Sequence, residues 1–360
     1  MAAAPDIPPA LRVPLLVLGF ASLAIGVGAG LLRLGWNVAL PSAELAAFHG
    51  PLMVSGFFGT VIGLERAVAL ARRWAYLGPL LTGLGGMAFI FGMPLLPGQF
   101  LLVLGSLVLL IASASVFQRQ RALFTFTLAA GAASWTLGNL LWLGGLPLHA
   151  VVPWWAGFLV LTIAGERLEL SRFLPTSLAA KRLFALIMAA LLAGMAVSAA
   201  LPLLFGAALL ALALWLLRHD IARRTVREQG LTRFIAVCLL SGYAWLAAAG
   251  AIMLASGGLA AGGLPYDAAL HALMLGFVFS MVFGHAPIIF PAVARVAVPY
   301  HPGFYVPLAL LHLSLGARVV GDLAALPGWR SAGGAGNAVA LLAFILVTVS
   351  AVIRGKLAAR

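Results

Sequence analysis

The stretch FHGPLMVSGFFGTVIGLERAVAL, residues 48–70, decides the fold. From Gly50 to Leu64 it contains no charged side chain, and its polar side chains are confined to Ser55 and Thr60. Such a run, opened by His49 and closed by Glu65-Arg66, suits a helix that crosses hydrocarbon from one polar boundary to the other. Comparable runs recur along all 360 residues. Hydrophobic residues make up 63% of the chain and charged residues 9%, where a soluble domain carries about a quarter charged. The formal charge of +13 falls between the apolar runs rather than in a patch. It therefore points to a lipid bilayer and membrane topology, with no nucleic-acid partner.

Runs bounded by Gly, Pro or basic residues predict an all-α, polytopic membrane bundle of twelve transmembrane helices. The spans are 12–32, 45–67, 75–95, 98–117, 123–144, 151–169, 183–200, 202–217, 233–256, 268–288, 303–321 and 334–353. The divisions at Pro97-Gly98 and Leu201-Pro202 leave almost no loop. Each separates two short spans, because one continuous helix there would exceed the bilayer thickness. With the N-terminus in the cytoplasm, 19 of the 22 Lys and Arg residues fall on the cytoplasmic side. Arg33, Arg318 and Arg330 fall on the other. That asymmetry places both termini in the cytoplasm, with 1–360 read as one transmembrane domain and the first apolar run as a retained helix. A multi-pass location in the membrane follows. The single cysteine, Cys238, excludes a disulfide or a thiolate zinc site within one chain.

A repeat is legible at the helix ends. IGLERAVALARR (62–73) and AGERLELSRF (164–173) share Gly, then Glu-Arg, then an apolar stretch and a cytoplasmic Arg. The third counterpart, GHAPIIFPAVARV (284–296), lacks Glu-Arg. Helices two, six and ten are four apart, which suggests three four-helix units. The Glu65-Arg66 and Glu166-Arg167 pairs read as interfacial ion pairs at helix C-termini. Trp135, Trp142, Trp154, Trp155 and Trp329 read as an interface belt.

Ionisable side chains inside a membrane are costly, and each is a functional candidate. His49 and His271 lie about one turn into helices two and ten, at matched depth. Two neutral imidazoles there suit the axial positions of a haem or two positions of a copper site, or each bonds a backbone carbonyl. His285 follows His271 by 14 residues, on the same side of the helix about 21 Å further along. It suits a second metal site or a helix cap. His312, in mid-helix eleven, needs a buried partner: a metal, a proton path, or a hydrogen bond to Ser314 or to a neighbouring helix. His149 sits in the loop before helix six, and His219 and His301 lie in cytoplasmic loops. Arg318 and Asp322 are spaced as an i,i+4 pair, where Arg318 could hold a haem propionate.

SGYAWLAAAG (241–250) and LHALMLGFVFSMVFGHAP (270–287) resemble the NnrS family of haem- and copper-containing bacterial membrane proteins. That family pairs a GYAW-like helix with a later L-H-A-L-x-x-G segment ending in Gly-His. The opening stretch departs from it, since Gly50 follows the histidine and the family's Glu is absent. The resemblance implies haem held by His49 and His271, copper near His285 or His312, and a role in nitric oxide metabolism or nitrosative stress. His49, Gly50 and Met53 also resemble the opening of helix two in subunit I of haem-copper oxidases. Helices six and seven carry no histidine, so an oxygen-reducing copper centre of that kind is not expected. Two other readings stand beside this one. The first is a metal-free transporter using Asn139, Tyr243 and His312. The second is a factor that delivers haem or copper to a respiratory oxidase.

Overall fold

The computed structural model describes residues 6–171, 176–259 and 263–358. Arg172 and Arg360, two of the basic residues assigned to the cytoplasmic side, lie outside them. The described chain is all-helical. Helix α1 is Pro9–Arg33, started by a proline whose missing N–H costs nothing in the first turn. Helix α2 is Ala43–Leu70. Ser42 caps its entry by accepting the Glu44 N–H at 3.1 Å, and Ala71, in a left-handed conformation (φ 52°), ends it. Then come α3 (Leu77–Ile90), α4 (Leu95–Arg119), α5 (Leu123–Leu143) and α6 (Leu148–Leu170). They are followed by α7 (Leu178–Ala196), α8 (Pro202–His219), α9 (Gly230–Ala255), α10 (Leu264–Ala294), α11 (Pro302–Leu323) and α12 (Pro327–Leu357).

Among the described residues, ten helices are long and apolar enough to cross a membrane: α1, α2, α4 and α6 to α12. This is a multi-pass membrane protein. Helix α3, at 14 residues, is short, and α5 is diluted by Thr125, Thr127, Ser134, Thr136 and Asn139. One expected boundary moves. The break falls at Phe91–Pro94, so Pro97 and Gly98 sit in the first turn of α4, where a proline is tolerated. Pro202 does open α8.

The chain divides into two compact units: Met1–Phe158 with Ile289–Val296, and Leu159–Ile288 with Ala297–Arg360. In the first, α1 packs on the middle of α2 and on α3, and α4 packs on α3 and α5. In the second, α9 packs on α8 and the middle of α10, and α11 and α12 form the most extensive pairing. That hairpin closes tightly because Gly333 lacks a Cβ, which would meet the Arg318 backbone.

Three of the expected belt tryptophans prove to be core residues. Trp135 stacks on Phe158 with centroids 4.7 Å apart, and Trp142 packs edge-on to Trp155 at 5.6 Å. Two of the indole nitrogens have buried partners: Trp135 donates to Ser55 Oγ and Trp155 to Asn139 Oδ1, each at 3.0 Å. A tryptophan serves a wet interface or a polar pocket equally well, so sequence position alone misplaced them. Trp329 is exposed, as a belt residue would be.

Candidate functional site: histidine-bearing helices and buried charge

Helices α2 and α10 share a local construction that the sequence did not reveal. In α2 the single α-turn His49–Pro51 is followed by a π-helical segment, Leu52–Phe58. In α10, His271 closes an α-helical turn and Ala272–Phe279 is π-helical. Such widened turns are rare and concentrate at functional sites.

Each histidine is also fixed in the same way. His49 Nδ1 donates to the Gly26 carbonyl on α1 at 2.7 Å. Gly30, one turn further along α1, leaves room for the ring, since a Cβ there would stand 2.8 Å from His49 Cε1. His271 Nδ1 donates to the Asp267 carbonyl at 2.8 Å and lies 3.3 Å from the Asp267 carboxylate. His285 Nδ1 donates to the Met281 carbonyl at 2.7 Å. A carbonyl only accepts, so in each neutral ring the proton sits on Nδ1 and the lone pair on Nε2. That tautomer, held by a carbonyl or carboxylate, is the one metal-ligating histidines adopt. The donor chemistry therefore fits haem iron or copper. Among the described residues, no group of three or more His, Cys, Asp or Glu side chains gathers to hold a metal ion by itself.

His312 is different. Its Nδ1 accepts the Trp245 indole N–H at 3.0 Å. Its Nε2 therefore carries the proton and donates to Ser241 Oγ at 3.0 Å. The partner is Ser241 of α9, not Ser314, and in this arrangement neither ring nitrogen offers a lone pair to a metal. His149 lies in the first turn of α6 rather than in a loop. His219 is the last residue of α8, its ring 4.9 Å from Trp215, and His301 accepts the Gly303 N–H at 3.0 Å to cap the start of α11.

The charged residues also pair otherwise than expected. Arg167 is buried and meets Asp220 side-on, with Nε to Oδ2 at 2.8 Å and a second bond to Oδ1 at 3.1 Å. Asp220 also accepts the Tyr243 hydroxyl at 3.0 Å and the Ala222 N–H at 2.7 Å. Arg318 does not pair with Asp322. Its guanidinium donates to Asp267 at 2.9 Å, while Arg330 reaches Asp322 at 2.7 Å and Asp267 at 3.4 Å. Of these residues, Asp267 had a legible signal: it stands four before His271, which puts both on one helix face. Asp220 had none, because a lone acid after a helix end reads as a loop residue.

A half-open pocket of about 350 Å³ lies elsewhere, lined by Gln229, Gly230, Arg233, Val237, Tyr300 and Tyr305. It contains none of the histidines.

Multi-pass helical architecture, with histidines fixed on backbone carbonyls and charge buried between helices, defines a polytopic membrane protein. A family model covers residues 12–353. The chain belongs to that family, described as Domain of unknown function (DUF8744). No curated protein matches it.

Proposed function

We propose that this is a haem-binding protein of the bacterial cytoplasmic membrane, with His49 and His271 as ligating imidazoles and a role in nitric oxide metabolism. Twelve crossings in three four-helix units, with both termini in the cytoplasm, complete the reading, α3 and α5 crossing with the rest. The observation that carries it is the shared construction of α2 and α10: a histidine with its Nδ1 bound to a backbone carbonyl, followed within one turn by a π-helical segment. The resemblance of SGYAWLAAAG and LHALMLGFVFSMVFGHAP to the NnrS family supplies the substrate class.

Ferrous haem held there would supply a site for nitric oxide once one of the two imidazoles, His49 or His271, leaves the iron. The chain's own part is orientation. Gly26 fixes the tautomer and plane of His49, and the Asp267 carbonyl and carboxylate do the same for His271, raising its basicity as a ligand. Copper at His285 is a second element of the proposal.

The metal-free transporter reading draws on Asn139, Tyr243 and His312. Each has its polar groups taken up by neighbours. Asn139 accepts from Ser55 and Trp155 and donates to the Leu102 carbonyl. Saturated side chains of this kind hold helices together rather than bind a passing solute.

The test is an optical one. Protein expressed with ample haem and purified in detergent should show a reduced-minus-oxidised haem spectrum that both His49→Ala and His271→Ala abolish. Wild type free of haem and copper would overturn the reading. A shift of the reduced Soret band on adding nitric oxide then tests the ligand, and nitric oxide turnover separates catalysis from metal delivery.

A further inference from the structure

On α11, Ser314, Arg318 and Asp322 are spaced four apart and share one face. Helix α12 sets Arg330, Gly333 and Asn337 against it. Arg330 Nε lies 2.7 Å from Asp322 Oδ1, and Ser314 Oγ donates to Asn337 Oδ1 at 2.7 Å. Asp267 of α10 closes the end, taking Arg318 at 2.9 Å and Arg330 at 3.4 Å.

This line gathers unsatisfied polar atoms. Of the seven buried side-chain nitrogens and oxygens without a hydrogen-bond partner among the described residues, five are here: Arg318 Nε, Arg330 Nε, both Asp322 carboxylate oxygens and Asn337 Nδ2. The Arg330–Asp322 contact is close, but the N–H is not aimed at the oxygen, so the pair is ionic and leaves both atoms without a hydrogen bond. Asn337 is 3% exposed, Asp322 1% and Arg318 8%, so bulk solvent does not meet these needs. Folded proteins rarely leave such atoms unpaired.

The charges decide what can serve them. Two guanidiniums offset two carboxylates, so neither an anion nor a cation is favoured overall. The orphan acceptors, both on Asp322, lie between orphan donors on Arg330, Arg318 and Asn337, and the species that satisfies donors and acceptors alike is water, which needs two to four polar partners to be held in an interior. We infer that the α11–α12 seam holds a file of water running from the Asp267–Arg330 end inward to Asn337. Seven residues of α12 separate Arg330 from Asn337, which makes this inlet about 10 Å deep. Arg330, only partly buried, stands at its mouth. The inlet brings small hydrophilic species into the helix interior beside Asp267, the residue that orients His271. It stands whether or not haem is bound.

The single native cysteine makes the test clean. In a Cys238→Ala background reconstituted in nanodiscs, Asn337→Cys and Ser314→Cys are treated with methanethiosulfonate ethylammonium and followed by intact-protein mass spectrometry. Leu342→Cys, on the outward face of α12 at 56% exposure, is the lipid-side control. Because nanodiscs leave both membrane faces open, the result does not depend on topology or on haem. Modification of either inlet cysteine at least about tenfold faster than the control is expected. If both react as slowly as Leu342→Cys, the seam is dry and the inference is overturned. Using one position on each helix guards against a variant that fails to fold.

Discussion

Trp245 donates its indole N–H to Nδ1 of His312 at 3.0 Å, and that bond decides what the imidazole can do. With Nδ1 accepting and Nε2 donating to Ser241, the ring is a neutral strut between α9 and α11. Trp245→Phe leaves Nδ1 without a donor and should cost ~1–3 kcal/mol, read as a lower midpoint of thermal unfolding in detergent. His312→Ala should leave haem and copper content at the wild-type level. Loss of metal in that variant would show that the ring turns towards a metal after all.

The Arg167–Asp220 pair should be the most sensitive charge in the second unit. Both side chains are buried, and Asp220 accepts four hydrogen bonds, from Arg167 twice, Tyr243 and Ala222. Removing one partner strands the other, so Asp220→Asn should destabilise by ~3–5 kcal/mol. Arg167→Lys should not rescue the fold, because an ammonium cannot reproduce the side-on geometry. Fluorescence-detected gel filtration after heating would measure both.

Gly30 should behave as a second-helix determinant of His49. A Cβ at that position would stand 2.8 Å from the ring, so Gly30→Ala must displace the imidazole or α1. Overpacking of this kind costs ~1–3 kcal/mol. On the haem reading it also changes the reduced spectrum without removing a ligand. A spectrum identical to wild type in a folded Gly30→Ala protein would detach His49 from the haem.

Tyr76 supplies a pH dependence. Burial, and then its hydrogen bond to Asp6 at 2.8 Å, push its phenol from 10.0 up to about 12. The neutral form is the one that donates. Between those two values the unfolded chain has lost the proton and the folded chain keeps it, so stability falls as pH rises through this window. Below pH 10 the contribution is fully present. Tyr76→Phe should flatten that segment of the stability profile, and an alkaline ultraviolet titration of wild type should show one late-titrating phenol that the variant lacks.

The apolar runs placed the helices well, because bilayer length and Gly/Pro punctuation act locally along the chain. The start of α8 at Pro202 was legible for that reason. What escaped depends on packing between distant segments. Arg167 finds Asp220 53 residues away, and nothing near Glu166-Arg167 in sequence announces it. Arg318 chooses Asp267 over the acid four residues on, because α10 delivers a carboxylate to it. His49 and His271 stood out as intramembrane imidazoles. Their carbonyl partners and the π-helical turns beyond them did not, since no residue type encodes a wider turn.

Those turns set the phase of each helix. A π-helical turn takes up about one residue more than an α-turn over nearly the same rise. In α2 it lies between His49 at one end and Glu65-Arg66 at the other. The same residues wound as a regular α-helix would rotate one end against the other by about 100°, whereas deleting one residue within 52–58 should restore α pitch and keep both ends in phase. The segment works as an angular offset. It lets the imidazole and the Glu-Arg pair point where each is needed, although a regular helix of this sequence could satisfy only one of them.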